Sequence, residues 1–391
     1  MSKGSMRILV LAPTPYFADR GCHVRIYEEA RALIRHGHDV RIVTYHLGRD
    51  MPGIPVYRIP CMPWYRKLAA GPSWHKPYLD ILLFLKALAV ARKFGPDMIH
   101  AHLHEGAFIG IFLKCLLGIP LLFDCQGSLT GEIADHGFVK EGSLLYRLFR
   151  GVEGFVNRSA DRIITSSGPG ADDLRDRWRM PENKVRVLMD GVDTDEFAPR
   201  AGAEARRRLG IPADIPVAVF LGILNTYQGL DILLDVASLL RDRGTLVHFL
   251  VMGFPEEDYR RRAAERGLAD RMTFTGRIDY GDAAGLLTAG DVAVSPKISL
   301  TEANGKLFNY MACGLPIVAF DTPVNREILG EAGAYARFGD TGDFADRVED
   351  LILNRGKRRE LASRVREKAV REHSWEARGA ELESVCRELA G

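Results

Sequence analysis

Between residues 299 and 316 the chain reads Ser299-Leu-Thr-Glu302-Ala-Asn304-Gly305-Lys306-Leu-Phe-Asn309-Tyr-Met-Ala-Cys-Gly314-Leu-Pro316. These residue types suit the handling of a phosphate. Gly305 stands where a helical pattern opens, and glycine lets backbone approach a ligand closely. N–H groups at a helix start carry partial positive charge, and Lys306 adds a full one. Lys306 and Asn309 are three apart, so they share a helix face. Leu307, Phe308, Met311 and Ala312 take the opposite, apolar face. Lys297, just past a strand pattern at 291–295, offers a second cation. The same spacing also fits an ordinary strand–loop–helix unit with solvated lysines.

Other sets are weaker. His100, His102 and His104 alternate as strand neighbours on one face would, which is a metal pattern. Strand alternation would break where the next helix starts, however, and no second-shell or open-site support is evident. No metal is expected, and His104 or Glu105 is expected to line an acceptor pocket instead. Asp193-Thr-Asp195 follows no strand and reads as coincidence. Asp19-Arg20-Gly21-Cys22-His23 precedes the first helix, with Gly21 and His23 as candidates to meet a ligand. Pro63-Trp64-Tyr65-Arg66-Lys67 and Trp74-His-Lys76 mix aromatics with cations, a composition that suits a lipid headgroup interface. A helix at 143–158, with Leu145, Leu148, Phe149, Val152, Phe155, Arg147 and Arg150, would continue that surface or is simply amphipathic.

The elements that must position these residues are α/β. Short apolar runs alternate with helical patterns, which argues for parallel sheets with crossover helices. Strands are expected at 6–11, 40–45, 55–59, 98–102, 120–124, 162–166 and 185–188. A second series lies at 217–222, 247–252, 272–275, 291–295 and 316–320. Helices are expected at 341–354, 357–371 and 375–389. The pattern thus occurs twice, with a linker at 190–197. This predicts two Rossmann-like domains, 1–192 joined by the helix 374–391, and 193–373. Ligands in such sheets bind beyond the carboxyl ends of the strands, so a cleft between the domains is the expected site.

The 391 residues suit two or three domains, with the apolar and charged fractions of a globular protein. Net charge is only +2, so bulk charge makes no case for nucleic acid. The first hundred residues nevertheless carry 15 basic and 7 acidic groups. Six scattered cysteines show no zinc spacing, and the polar N-terminus has no signal-peptide pattern, so a cytoplasmic protein is expected. The apolar stretch 106–123 is split by Gly118-Ile-Pro120 into pieces too short to span a membrane.

The run Met311-Ala-Cys-Gly-Leu-Pro-Ile-Val318 and the loop before it resemble the C-terminal signature of retaining, nucleotide-sugar-dependent glycosyltransferases of family 4. Further matches are His36-Gly-His-Asp-Val40, Asp161-Arg-Ile-Ile-Thr-Ser166, Asp190-Gly-Val-Asp193 with Phe197, Phe220-Leu-Gly222 with Gln228-Gly229, Phe274-Thr-Gly276 and Ser374-Trp375. The resemblance implies the GT-B fold, a last helix that crosses back to the N-terminal domain, and retaining sugar transfer without a metal or other cofactor. It implies that Glu302 contacts the donor sugar. The family's second glutamate, a ribose ligand, falls on Asn309, one residue early. The family's diphosphate Arg and Lys fall on Ile223 and Gln228, and its N-domain histidine on Gln126.

Two cations are therefore missing, and Lys306 and Lys297 are expected to replace them. The expected catalytic set is Glu302, Lys306 and Gln126. The expected donor-binding set is Gly21, Gly222, Gln228, Arg277, Lys297, Asn304, Gly305 and Asn309. Expected partners are a nucleotide sugar and a glycan or lipid-linked acceptor in polysaccharide or glycolipid synthesis, with peripheral membrane contact through 63–76. Two alternatives share the fold: a non-hydrolysing nucleotide-sugar epimerase and a catalytically silent partner subunit.

Overall fold

Apolar runs such as Ile8–Leu11 and Leu121–Phe123 are buried on both faces, as a parallel sheet covered by helices requires. In a computed structural model describing residues 4–18, 21–68, 73–135, 139–140, 142–298 and 303–391, these runs build two sheets. The first holds β1 (Arg7–Ala12), β2 (Asp39–Thr44), β3 (Val56–Arg58), β4 (Met98–His102), β5 (Leu121–Cys125), β6 (Arg162–Thr165) and β7 (Val185–Val187), in the order β3-β2-β1-β4-β5-β6-β7. The second holds β8 (Val217–Leu221), β9 (His248–Met252), β10 (Met272–Phe274), β11 (Val292–Ser295), β12 (Ile317–Phe320) and β13 (Ala334–Ala336), in the order β10-β9-β8-β11-β12-β13. The paired strands run parallel. β13 has no counterpart among the expected strands. Its three residues, Ala-Tyr-Ala, are too short and too weakly apolar to signal a strand alone.

The chain divides into two units, Met1–Met189 with Trp375–Gly391, and Asp190–Ser374. The expected linker 190–197 is part of the second unit. Asp193 Oδ1 accepts the backbone N–H groups of Asp195 and Glu196, and Arg366 donates to the carbonyls of Thr194 and Phe197. Asp193-Thr-Asp195 is thus a turn. The last helix, Trp375–Ala390, joins the first unit because Gly379 fits against Ala32 of the helix Gly21–Arg35. A Cβ at 379 would come within 2.8 Å of the Ala32 Cβ. Glu383 also pairs with His36, whose hydrogen bond holds the Glu383 carboxyl down at about 2. Among the described residues no helix is long and apolar enough to cross a membrane.

Candidate functional site

Strand order in the second sheet reverses between β8 and β11. β9 and β10 lie to one side of this pair and β12 and β13 to the other. Loops leaving such a reversal diverge at the carboxyl ends and open a crevice. Gly222 follows β8 and Lys297 follows β11, so both stand at this point.

Lys306 opens the helix Lys306–Ala312 and reaches back to the end of β8. Its Nζ donates to Gln228 Oε1 at 2.7 Å and lies 4.1 Å from the centroid of the Phe220 ring. Gly222 adopts φ +146°, and a Cβ there would sit 3.2 Å from Lys306 Nζ. Glycine at 222 therefore serves both the backbone turn and the room for the ammonium. Gly229, at φ +81°, packs on the Pro296 carbonyl, where a Cβ would approach to 2.0 Å. That contact locks the loop after β8 to the loop after β11. Tyr310 accepts the N–H of Leu221 at 2.6 Å and fixes the end of β8.

Lys297 is 6% exposed, not solvated. Its Nζ donates to the Ala303 carbonyl at 2.8 Å and lies 5.4 Å from the Tyr227 ring centroid. Burial pushes the Lys306 ammonium well below the ordinary lysine range, and the Lys297 charge pushes it further. Lys297 and Lys306 thus both stand at the carboxyl ends of β8 and β11, near enough for the charge of one to disfavour that of the other.

The remaining expected donor residues divide. Asn309 is partly exposed on the Lys306 face of its helix, with its side-chain amide making no hydrogen bond among the described residues. Gly305 is exposed, with Asp190 Oδ2 3.3 Å from where a Cβ would stand. Arg277 is exposed and stacks 5.3 Å from the Phe254 ring centroid. The Phe254 carbonyl accepts the N–H of Leu224, so Arg277 borders the same loop cluster. Asn304 does not face a ligand. It is buried, and its amide bonds Ser295 Oγ and Asn325 Oδ1, both at 3.0 Å, tying the loop to β11 and to the helix Pro323–Leu329. Glu302 lies outside the described residues.

In the first unit, Gly21 opens its helix with open space where a Cβ would stand. His23 is not a ligand group: it is buried among Tyr16 and Phe17, and its Nδ1 accepts the N–H of Ala18 at 2.9 Å. His104 is buried edge-on to Phe123, so it lines no open pocket, while Glu105 is partly exposed and pairs with Lys76. Gln126 is partly exposed, and its Nε2 donates to Asp124 Oδ2 at 2.8 Å.

That contact ends in a buried network absent from the expectations. Arg25 Nε and Nη2 grip Asp124 at 2.9 Å each, Arg25 Nη2 meets Glu29 Oε1 at 2.9 Å, and Arg25 Nη1 donates to the Leu188 carbonyl. The available signals were charges at Arg25 and Glu29 on an apolar helix face, and an acid inside the strand Leu121–Cys125.

Comparison with known proteins agrees with this architecture. Residues 20–191 match the glycosyl transferase 4-like domain family, and residues 215–354 match the glycosyl transferases group 1 family. A D-inositol 3-phosphate glycosyltransferase of Acidothermus cellulolyticus is 29% identical, covering 91% of this chain and 83% of its own. Another from Thermobispora bispora is 28% identical, covering 94% and 90%. Sucrose-phosphate synthase from Thermosynechococcus elongatus superposes with a TM-score of 0.82 at 21% identity, over 98% of this chain and 99% of its own. Anabaena HepE in complex with UDP and glucose gives 0.79 at 19% identity, over 98% and 100%. The two matched domains, their order and the two parallel sheets make this chain a member of the family-4 glycosyltransferases of GT-B fold.

Proposed function

We propose that the crevice between β8 and β11 binds the diphosphate of a UDP-sugar between Lys306 and Lys297. The observation that carries this is the pair itself. Lys297 is buried and Lys306 half-buried, the charge of Lys297 disfavours that of Lys306, and a bridging dianion relieves that repulsion. Gly222 and Gly305 admit the phosphates, Asn309 takes the ribose hydroxyls, Glu302 contacts the sugar, and Arg277 borders the nucleotide. Gln228 acts through Lys306, holding its ammonium in place. The uridine base is supported by the likeness to HepE, whose structures hold UDP and UDP-glucose.

In the transfer, the acceptor oxygen bonds to the anomeric carbon as the bond from that carbon to the diphosphate oxygen breaks on the same face. The acceptor proton passes to the departing diphosphate. Negative charge grows there, and preorganised cations stabilise it. A thermal screen of nucleotide sugars tests the reading. A donor at 100 times its Kd is expected to stabilise the protein by about 2.7 kcal/mol. No stabilisation by any UDP-sugar would contradict it.

This route uses no divalent ion on the diphosphate. Transfer is therefore expected to be unchanged by added manganese or magnesium and to persist in chelator. Chelator-induced loss that manganese restores would oppose it.

The acceptor is a glycan or lipid-linked molecule met at the cytoplasmic face of a membrane. Trp64 and Trp74 are 67% and 73% exposed. The helices Lys76–Phe94, Leu103–Leu117 and Leu144–Ser159 expose Ile81, Leu85, Phe112 and Leu148 near the cations Arg147 and Arg150. Phe84 contacts Phe112, and Phe108 contacts both Phe112 and Phe155, so these faces are continuous. Each surface cation is worth about 1 kcal/mol near anionic lipid. The protein is expected to co-sediment with anionic vesicles at low salt and not with neutral ones. Absence from the anionic pellet would sink the membrane reading.

A further inference from the structure

His100 and His102 are two apart on β4, so both project from one face, with ring centroids 4.4 Å apart. His104 leaves this set because Leu103 takes φ +60° and ends the strand. Its place is taken by Glu29, from the helix Gly21–Arg35. Glu29 Oε2 lies 3.4 Å from His100 Nε2 and 3.9 Å from His102 Nε2. We propose that Glu29 Oε2, His100 Nε2 and His102 Nε2 bind a buried transition-metal ion, and that their chemistry selects zinc.

The hydrogen bonding supports this. Asp124, gripped by Arg25, accepts the 2.8 Å hydrogen bond of His102 Nδ1. His102 Nε2 makes no hydrogen bond, and neither ring nitrogen of His100 makes one, although His100 is 1% exposed. Buried polar atoms are normally satisfied. The Nε2 atoms of both histidines converge on Glu29 Oε2 without hydrogen bonds of their own, and a cation would complete them.

The spacing fits. Bonds of 2.0–2.2 Å at tetrahedral angles set ligand atoms roughly 3.3 Å apart. Asp124 on His102 Nδ1 is the carboxylate–histidine partner that fixes a metal-binding tautomer. Arg25 on Glu29 Oε1 orients the carboxylate with Oε2 toward the histidines. Imidazole nitrogens exclude the hard cations magnesium and calcium as preferred occupants. With every ligand buried, the ion is structural: it ties the first helix to β4 and takes no part in the transfer. Sequence spacing alone does not bring Glu29 to the two histidines, because it lies remote from them in the chain.

The test uses the full chain without a polyhistidine tag. Elemental analysis is expected to find one zinc per chain, retained through gel filtration in chelator and released on unfolding. Cobalt refolded into its place should give the visible d–d bands of a tetrahedral site. His100→Gln and Glu29→Gln are expected to weaken zinc binding by more than the roughly 10–100-fold that losing an outer partner costs. The exposed His75→Ala should change nothing. The proposal is overturned if folded wild-type protein contains no metal and takes up neither zinc nor cobalt. It is equally overturned if His100→Gln folds and binds zinc as tightly as wild type, or if His75→Ala removes the metal. None of these readouts depends on donor binding or transfer.

Discussion

Lys306→Ala is expected to lower kcat/KM by roughly 10²–10³, the loss seen when one preorganised transition-state donor is removed. The diphosphate gains charge as it leaves, and Ile223 and Gln228 stand where the family usually places cations. Lys306 is already held in place by Phe220, Gln228 and the bare backbone of Gly222. Little reorganisation is then needed at the moment of reaction. The fold is not expected to suffer. A lysine pushed below its unfolded value opposes folding in full at pH below its folded value, and the penalty fades as pH rises from there to the unfolded value, above neutral. Thermal unfolding of Lys306→Ala at neutral pH should therefore show no drop in Tm. Normal turnover by a folded Lys306→Ala would shift the role to Arg277 or the backbone. Lys297→Ala should also lose activity, with a rise in KM, because Lys297 anchors the loop at Ala303 as well as carrying charge.

Arg25→Met is expected to be the most destabilising single change, costing about 3–5 kcal/mol. It leaves Asp124 and Glu29 buried without their guanidinium. The total stability of a domain is about 5–15 kcal/mol, so the first unit would approach collapse. Urea denaturation reads the effect as a lower midpoint. The Asp124 carboxyl lies below its ordinary value of 3.8 in the fold, so its stabilisation is present above that value and lost only as pH falls toward the much lower folded one. The deficit of the variant should therefore persist across neutral and mildly acid pH. A loss under about 1 kcal/mol would mean that the pair is relaxed by water.

Much of this was legible in the chain. The two series of apolar runs placed twelve of the thirteen strands found among the described residues, because buried parallel strands are near-continuous apolar segments. The Gly305-Lys306 step and the face shared with Asn309 follow from helix periodicity. What periodicity cannot give is a partner from another element. Gln228 and Phe220 reach Lys306 from β8 and its loop, and Glu29 reaches β4 from the first helix. Asn304 and His23 were misassigned for the same reason. Each is polar and close in sequence to a ligand-like glycine, but each is buried and hydrogen-bonded inside the fold. Asp190–Phe197 looked like a linker by composition, yet Arg366, 169 positions beyond Phe197, fastens it to the second unit.

The central claim is that the lysine pair recognises a diphosphate. Calorimetry with a nucleoside diphosphate and its monophosphate, of the base selected by the thermal screen, measures this directly. In wild type the diphosphate is expected to bind more tightly by at least about tenfold, or 1.4 kcal/mol, and Lys306→Ala is expected to erase most of that preference. If the folded variant keeps the full preference for the diphosphate, Lys306 does not hold the phosphates.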